Sequence, residues 1–391
     1  MNLPVLADLD NVDGARVLAR LDLNVPVRDG VILDDTRIVA ALPTLRWLTE
    51  RAEVVAACSH LGKAKGTPDP AYSLAPVAAA LEKALGRSVR FVPDCLALVD
   101  DAGPGSLLLL ENLRFHPGEK ANDSDFAARL AEPYDHYVND AFGTAHRAHA
   151  SVEAATRIYS QGRKAAGFLM ECEVTALDRI VDDPEQPFVA VVGGAKVSTK
   201  TAPLEALVGR VSSLLVGGGM ANTFFLAQGL EVGRSLVEEE MVETARSVLA
   251  AAAKRGIEFV LPVDVVIADA IENPRRVEVV ASDAIPAEMM VVDIGPEARA
   301  RYREVLSSSR TIFWNGPMGV FEVADYAAGT LAVAEALAES PAFTVVGGGE
   351  SVMAVRQAGV IGKIDHVSTG GGASLQFITG ESMPAITALE S

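Results

Sequence analysis

The chain has 391 residues, enough for two ordinary domains, and a hydrophobic fraction of 49% that fits a folded protein. Its 34 basic and 52 acidic residues leave a formal charge of −18, the wrong sign for a nucleic-acid binder or for a protein drawn to an anionic membrane. Cys58, Cys95 and Cys172 are odd in number, far apart and without metal-type spacing, which argues against a disulfide framework and for a reducing, cytoplasmic setting. The N-terminus carries no basic segment ahead of an apolar stretch, and no apolar run approaches the roughly 18 residues of a membrane span.

Short Val- and Leu-rich runs alternate with segments of helical period, the βαβ signature of a parallel sheet covered on both faces. In the first half the expected strands are residues 17–23, 54–58, 107–110 and 137–141. Between the first two, Ile38, Ala41, Leu42, Leu45 and Leu48 share one helix face, with Asp35 or Thr36 as N-cap, and residues 74–85 form a second helix. Polar and cationic side chains close these strands. Asp22 and Asn24, two apart at the end of the first, are expected on one face; alternatively they are ordinary polar residues before a turn. His60 and Lys63 follow the second strand, Arg114 the third, and His146, Arg147 and His149 the fourth, while Arg37 sits in the first helical turn. Ligands of an open α/β sheet bind outside the carboxyl ends of its strands, so these groups are expected to converge on one crevice. Clustered arginines without paired acids call for an anion, and a small, multiply anionic metabolite is the natural occupant, although any one of them alone could form a surface ion pair. His146 and His149 lack a third partner for zinc.

A helix over 168–181 leads to the polar, proline-containing break at 182–187, the best boundary candidate in the chain. Beyond it, four runs end in glycines: 189–192 into Gly193-Gly194, 214–216 into Gly217-Gly218-Gly219, 344–346 into Gly347-Gly348-Gly349, and Ser368-Thr369 into Gly370-Gly371-Gly372. A buried strand that gives way through glycine to a helix aims backbone N–H groups at open space, and four such ends suggest a large polyphosphate ligand. Lys196 and Lys200, four apart, are expected on one helix face where an anion would offset the helix dipole, or as a solvated pair. Asn315 and Glu322 flank a further strand-end loop after residues 311–313, and Glu350 and Ser351 follow the third glycine cluster, where a carboxylate could seat Mg²⁺. Neither a P-loop nor a well-placed Gly-x-Gly-x-x-Gly fingerprint is present.

In order along the chain, Arg20-Leu21-Asp22-Leu23-Asn24-Val25-Pro26, Ser59-His60-Leu61-Gly62, Glu111-Asn112-Leu113-Arg114-Phe115, Asp140 through His149, Gly193-Gly194-Ala195-Lys196-Val197, Trp314-Asn315-Gly316-Pro317 and Gly370-Gly371-Gly372-Ala373-Ser374 resemble phosphoglycerate kinase from about residue 20 to 389. The resemblance implies an α/β fold of two doubly wound, Rossmann-like parallel-sheet domains facing one another across a cleft and joined by a helical hinge near Ser151 and residues 168–181. It places the N-terminal phosphoglycerate domain at 1–167 plus 376–391, and the nucleotide domain at 168–375. The implied reaction is reversible phosphoryl transfer from 1,3-bisphosphoglycerate to MgADP, with Mg²⁺ as cofactor, ATP/ADP as co-substrate, no covalent intermediate, and a monomeric enzyme.

By the same resemblance Asp22, Asn24, Arg37, His60, Arg114 and Arg147 bind phosphoglycerate. Arg37 also leans toward the transferring phosphoryl group, which Lys196 and the Gly371 and Gly372 amides stabilise. Lys200, Asn315, Glu322, Gly348, Gly349, Glu350 and Ser351 complete the nucleotide site, and Glu350 is the expected metal contact. Two positions depart from the family: Glu350 stands where Asp is usual, and Lys63-Ala64-Lys65-Gly66 where Arg-Pro is common. A dinucleotide-dependent oxidoreductase would share the sheet but lacks its fingerprint here, and a non-catalytic scaffold would be expected to lack Lys196, Arg37 or the basic cluster.

Overall fold

A computed structural model describes residues 2–391. The chain divides into two compact units, one running through Thr175 and including Ser382–Ser391, the other Ala176–Glu381.

The first unit is built on six parallel strands in the order Arg90–Val92, Ser106–Leu110, Val54–Cys58, Arg16–Leu21, His136–Asp140 and Lys164–Ala166. Runs such as Val54–Cys58 lack polar alternation because both faces are covered, and all five of its residues are buried. Helix Thr36–Thr49 buries Ile38, Ala41, Leu45 and Leu48 against this sheet; Asp35 is its N-cap residue, as expected, but makes no side-chain cap hydrogen bond, and Asp34 accepts the Thr36 N–H at 2.8 Å. The first strand ends at Leu21, two residues short of expectation, so Asp22 and Asn24 lie in the connection beyond it. Strand order reverses between Arg16–Leu21 and His136–Asp140, and the ends of these two strands flank the site.

The second unit repeats the plan: Glu258–Val260, Ser213–Val216, Phe188–Val192, Thr311–Asn315, Phe343–Gly347 and His366–Val367 form its six-stranded parallel sheet, which reverses between Phe188–Val192 and Thr311–Asn315. Three sequence expectations change here. The last strand is His366–Val367, while Ser368 turns the chain by accepting the Gly370 N–H at 3.1 Å. Lys196 and Lys200 precede, and do not belong to, the seven-residue helix Thr201–Leu207. A three-stranded antiparallel sheet of Val277–Ala281, Asp264–Ala268 and Met290–Ile294 was not anticipated. Among the described residues no helix is long and apolar enough to cross a membrane.

Candidate active site

The cationic side chains of the first unit meet beyond the strand ends. Asp22 is buried and accepts from one terminal nitrogen of Arg37 at 2.8 and 2.9 Å, which aims the guanidinium while leaving its other donors unused by that pair. Asn24 accepts the Gly62 N–H at 2.8 Å and so fixes the loop that follows His60. Asn112 binds both Leu61 backbone groups, the Tyr72 carbonyl and the Arg114 N–H, which seats Arg114 on the turn Leu113–Phe115. Arg114 donates to the Gly62 carbonyl at 2.6 Å, and its buried Nε has no protein partner. Arg147 is exposed and donates to the His146 ring at 3.1 Å.

Electrostatics show how little negative charge balances this group. Burial, then the charges of Arg147 and Arg20, pull the Arg114 guanidinium down to about 10. His60 is held well below the ordinary histidine range by burial and by Arg20, Arg114, Arg37 and His149. His146 and His149 are both lowered to about 4, by burial and then by neighbouring arginines. Asp22 and Glu119 are the acids that act on Arg114 in the opposite sense. An anion with several negative oxygens would relieve this mutual repulsion. All six expected phosphoglycerate residues therefore belong to one neighbourhood.

Four members were not singled out as site residues from the sequence: Arg20, Glu119, Lys120 and Ser151. Arg20 is fully buried, donates to Ser151 Oγ at 2.9 Å and lies 3.2 Å from His60 Nδ1. Because arginine only donates, His60 Nδ1 accepts and the ring's proton sits on Nε2. Glu119 accepts both the Ser151 N–H and hydroxyl, at 2.9 and 2.7 Å, and Lys120 donates to the Ala64 carbonyl. The signal for Arg20 was a lone charge inside an apolar strand; the partnership of Glu119 with Ser151 is tertiary and left none.

In the second unit the four glycine ends separate into two kinds. Gly193 and Gly194 donate to the Asn315 and Pro317 carbonyls, Gly217 and Gly218 to those of Val192 and Met318, all at 2.9–3.1 Å. A Cβ on Gly218 would lie 2.7 Å from Gly194 N. These glycines let backbones pack together, and their amides are already used. By contrast, a Cβ on Gly349 or Gly372 would meet nothing within 4 Å. Gly349 and Gly372 open the helices Gly349–Gln357 and Gly372–Thr379, and a Cβ on Gly371 would touch only the Gly348 Cα, at 3.7 Å. Two helix starts thus face open space side by side.

Lys200 anchors the strand ends beside them, donating to the Gly193 carbonyl at 2.6 Å and to the Asn315 carbonyl and side-chain oxygens at 3.0 and 2.8 Å. Burial lowers its ammonium to about 8, and the charge of Glu350 partly offsets that. Glu350 is exposed in the first turn of Gly349–Gln357, whereas Ser351 is buried and accepts the Gly316 N–H at 2.6 Å. Lys196 and Glu322 are exposed. A cavity of about 430 Å³ lies elsewhere, beside Asp10, Asp13, Asp135 and His136 at the amino ends of the strands, and its acidic lining does not suit an anionic substrate.

Each unit therefore offers an anion site of its own, cationic side chains in one and helix-start amides in the other. The family model for phosphoglycerate kinase matches residues 6–381. Phosphoglycerate kinases of Roseiflexus sp. (strain RS-1) and Chloroflexus aggregans are 50% and 49% identical to the chain, with 96% of each chain covered in the first case, and 100% of this chain and 99% of the relative in the second. The structure of phosphoglycerate kinase from Coxiella burnetii superposes with a TM-score of 0.90 at 42% identity over 99% of both chains, and that from Pyrococcus horikoshii with 0.83 at 33% over 99% and 98%. A match that spans both units, at half-identity to several relatives and with the same fold throughout, leaves one conclusion: the chain belongs to the phosphoglycerate kinase family.

Proposed function

We propose that the first unit holds the phosphoglycerate moiety through Asp22, Asn24, Arg37, His60, Arg114 and Arg147, and that the second holds the nucleotide at the starts of Gly349–Gln357 and Gly372–Thr379. The activity is that of a phosphoglycerate kinase, acting in glycolysis and gluconeogenesis. In the direction of ATP formation, the acyl phosphate of 1,3-bisphosphoglycerate passes to ADP and leaves 3-phosphoglycerate. No general base is needed, because the accepting oxygen is already anionic in either direction. Catalysis is positioning plus charge neutralisation. Arg37, steered by Asp22, and Lys196, exposed at the turn after Gly194, are the cations assigned to the phosphoryl group in flight, together with the Gly371 and Gly372 amides. Lys200, with Asn315, Gly348, Gly349 and Ser351, shapes and charges the phosphate end of the nucleotide site, and Glu322 is assigned to the nucleoside.

Mg²⁺ fits here: a hard divalent ion needs an accessible carboxylate plus phosphate oxygens and water, and exposed Glu350 supplies the carboxylate beside Lys200. When bound, it neutralises nucleotide phosphate charge. Helix Phe168–Val181, within which the two units divide, is assigned as the hinge. Three free cysteines and the activity itself support a cytoplasmic enzyme, and we assign it as a monomer.

The observation that carries this reading is the under-neutralised cluster of Arg20, Arg37, Arg114, Arg147 and Lys120 in a chain of charge −18. The test is direct. With ATP, Mg²⁺ and 3-phosphoglycerate, hydroxylamine should trap an acyl phosphate as its hydroxamate, and omission of 3-phosphoglycerate should abolish the product. Arg37→Ala and Lys196→Ala should chiefly lower turnover; a change confined to KM would remove either from its transition-state role. Glu350→Ala should raise the Mg²⁺ concentration giving half-maximal rate, and an unshifted metal titration would exclude Glu350 as the contact.

A further inference from the structure

We propose that Asp94, Cys95 and His116 form a second metal site, selective for a zinc-class transition ion and separate from the Mg²⁺ contact of the nucleotide unit. Their donor atoms all lie within 4.8 Å of one another, and His116 Nε2 is 3.0 Å from Asp94 Oδ1. The residues come from neighbouring loops. Asp94 and Cys95 follow the edge strand Arg90–Val92, and His116 follows the turn Leu113–Phe115 that continues from the adjacent strand Ser106–Leu110. Sequence spacing concealed the group, because it depends on the pairing of those strands.

The chemistry is specific. An ion pair explains Asp94 and His116 but gives no reason for a thiol to share their space. Imidazole, thiolate and carboxylate together suit Zn²⁺ or Co²⁺ and are poor for Mg²⁺ or Ca²⁺, which take oxygen ligands. Bonds of about 2.0–2.3 Å to a tetrahedral ion put the donors roughly 3.3–3.8 Å apart, so a pair at the 4.8 Å limit must close by about 1.0–1.5 Å, shared between two side chains. Asp94 Oδ1 also accepts the Leu96 N–H at 3.1 Å, which orients the carboxylate and leaves Oδ2 to turn toward an ion. Cys95 is buried, while the side chains of Asp94 and His116 are 54% and 31% exposed, giving an entry path and room for a water as fourth ligand. Binding moves the Cys95 thiol proton to bulk water, and the sulfur then bonds the ion as thiolate. His116 donates its backbone N–H to the Leu113 carbonyl at 3.1 Å, closing the turn that bears Arg114. An ion held here would staple that turn to the loop of the edge strand. Its role is structural, and it does not depend on the assignments made for the kinase site.

The test uses the full-length, tag-free protein, stripped of metal and kept under a phosphine reductant, titrated with Co²⁺. One equivalent should produce the intense visible bands of four-coordinate cobalt and a thiolate-to-cobalt charge-transfer band in the near ultraviolet, both discharged by Zn²⁺. Cys95→Ser should remove the charge-transfer band, His116→Gln should weaken Co²⁺ binding tenfold or more, and Cys172→Ser should change neither. Far-ultraviolet circular dichroism verifies that each variant is folded, and partly exposed His116 gives a readout even if Cys95→Ser fails to fold. Absence of a charge-transfer band in the folded parent overturns the proposal. So does a band that survives Cys95→Ser, or one that disappears with Cys172→Ser.

Discussion

Lys200 has three protein oxygens around its ammonium, and all belong to neutral groups, so its charge is solvated without being paired. That is why burial brings it to about 8, with only Glu350 acting the other way. Nucleotide phosphates would add negative charge beside it and raise it again. ADP binding above about pH 8 should therefore take up a proton that binding at about pH 6.5 does not. Calorimetric titration in buffers of different ionisation enthalpy measures this uptake, and Lys200→Met should abolish it; equal uptake in the variant would place Lys200 outside the phosphate site. The histidines of the first unit titrate on the acid side. His146 and His149 sit at about 4 when folded and near 6.5 when unfolded, so between those values the unfolded chain binds more protons. Their contribution is intact above about pH 6.5 and is lost as pH falls toward 4, on the order of 1–2 kcal/mol each after allowance for solvent screening. Asp140, raised to about 6 by burial, works in the opposite sense but is common to parent and variant. Thermal midpoints of the parent and of a His146→Gln/His149→Gln variant should therefore converge, or cross in favour of the variant, between about pH 7 and about pH 4.

At the level of strand ends and helix starts, what matters is whether a glycine amide is used by the fold or left for a ligand. Gly218 has φ +70° and its added Cβ would meet Gly194 and the Pro317 carbonyl at 2.7–2.8 Å, so Gly218→Ala should cost on the order of 2–4 kcal/mol and lower the melting temperature. Gly372→Ala has no such penalty, since nothing lies within 4 Å and the residue is helical. On the nucleotide site proposed above, its methyl would instead stand in the path of a phosphate. ADP affinity should fall about tenfold or more with melting unchanged. If the two variants behaved alike in both assays, the division between packing and binding glycines would fail. This division could not be read from the sequence, where all four clusters present the same strand–glycine–helix pattern; the Pro317 carbonyl and Met318 that fill two of them arrive from a distant segment. The parallel strands, the helix faces and the cationic strand ends were legible because periodicity and strand polarity act locally. The placement of Lys196 and Lys200 was open to correction from the sequence as well. Pro203 lacks an N–H and crowds the carbonyl four residues before it, so a helix containing it starts no earlier than about residue 200, and the observed start is Thr201. Strand Val277–Ala281 was hidden for a different reason: its outward-facing valines blur the alternation that marks an antiparallel edge.

Over the whole molecule, an enzyme for anionic substrates carries a charge of −18, so its distant charges repel what its site attracts. Distance decides which effect prevails. The cations gathered in the crevice, Arg20, Arg37, Arg114, Arg147 and Lys120, would act on a ligand at short range, whereas the excess of carboxylates is spread over the molecule. The screening length is about 30 Å at 0.01 M salt, about 8 Å at 0.15 M and about 3 Å at 1 M. At the lowest of these a bound trianion still feels the remote carboxylates. At the middle value they are screened and the crevice is not, and at the highest even the contact charges are weakened. The affinity for 3-phosphoglycerate should therefore rise and then fall with ionic strength, with its maximum on the order of 0.1–0.2 M in a salt of weakly binding ions. Equilibrium titration across this range is the measurement. A monotonic fall from the lowest salt would mean that the net charge plays no part in substrate binding. Arg114→Gln and Arg147→Gln should flatten the descending limb and leave the ascending one, because only that limb depends on the charges they remove.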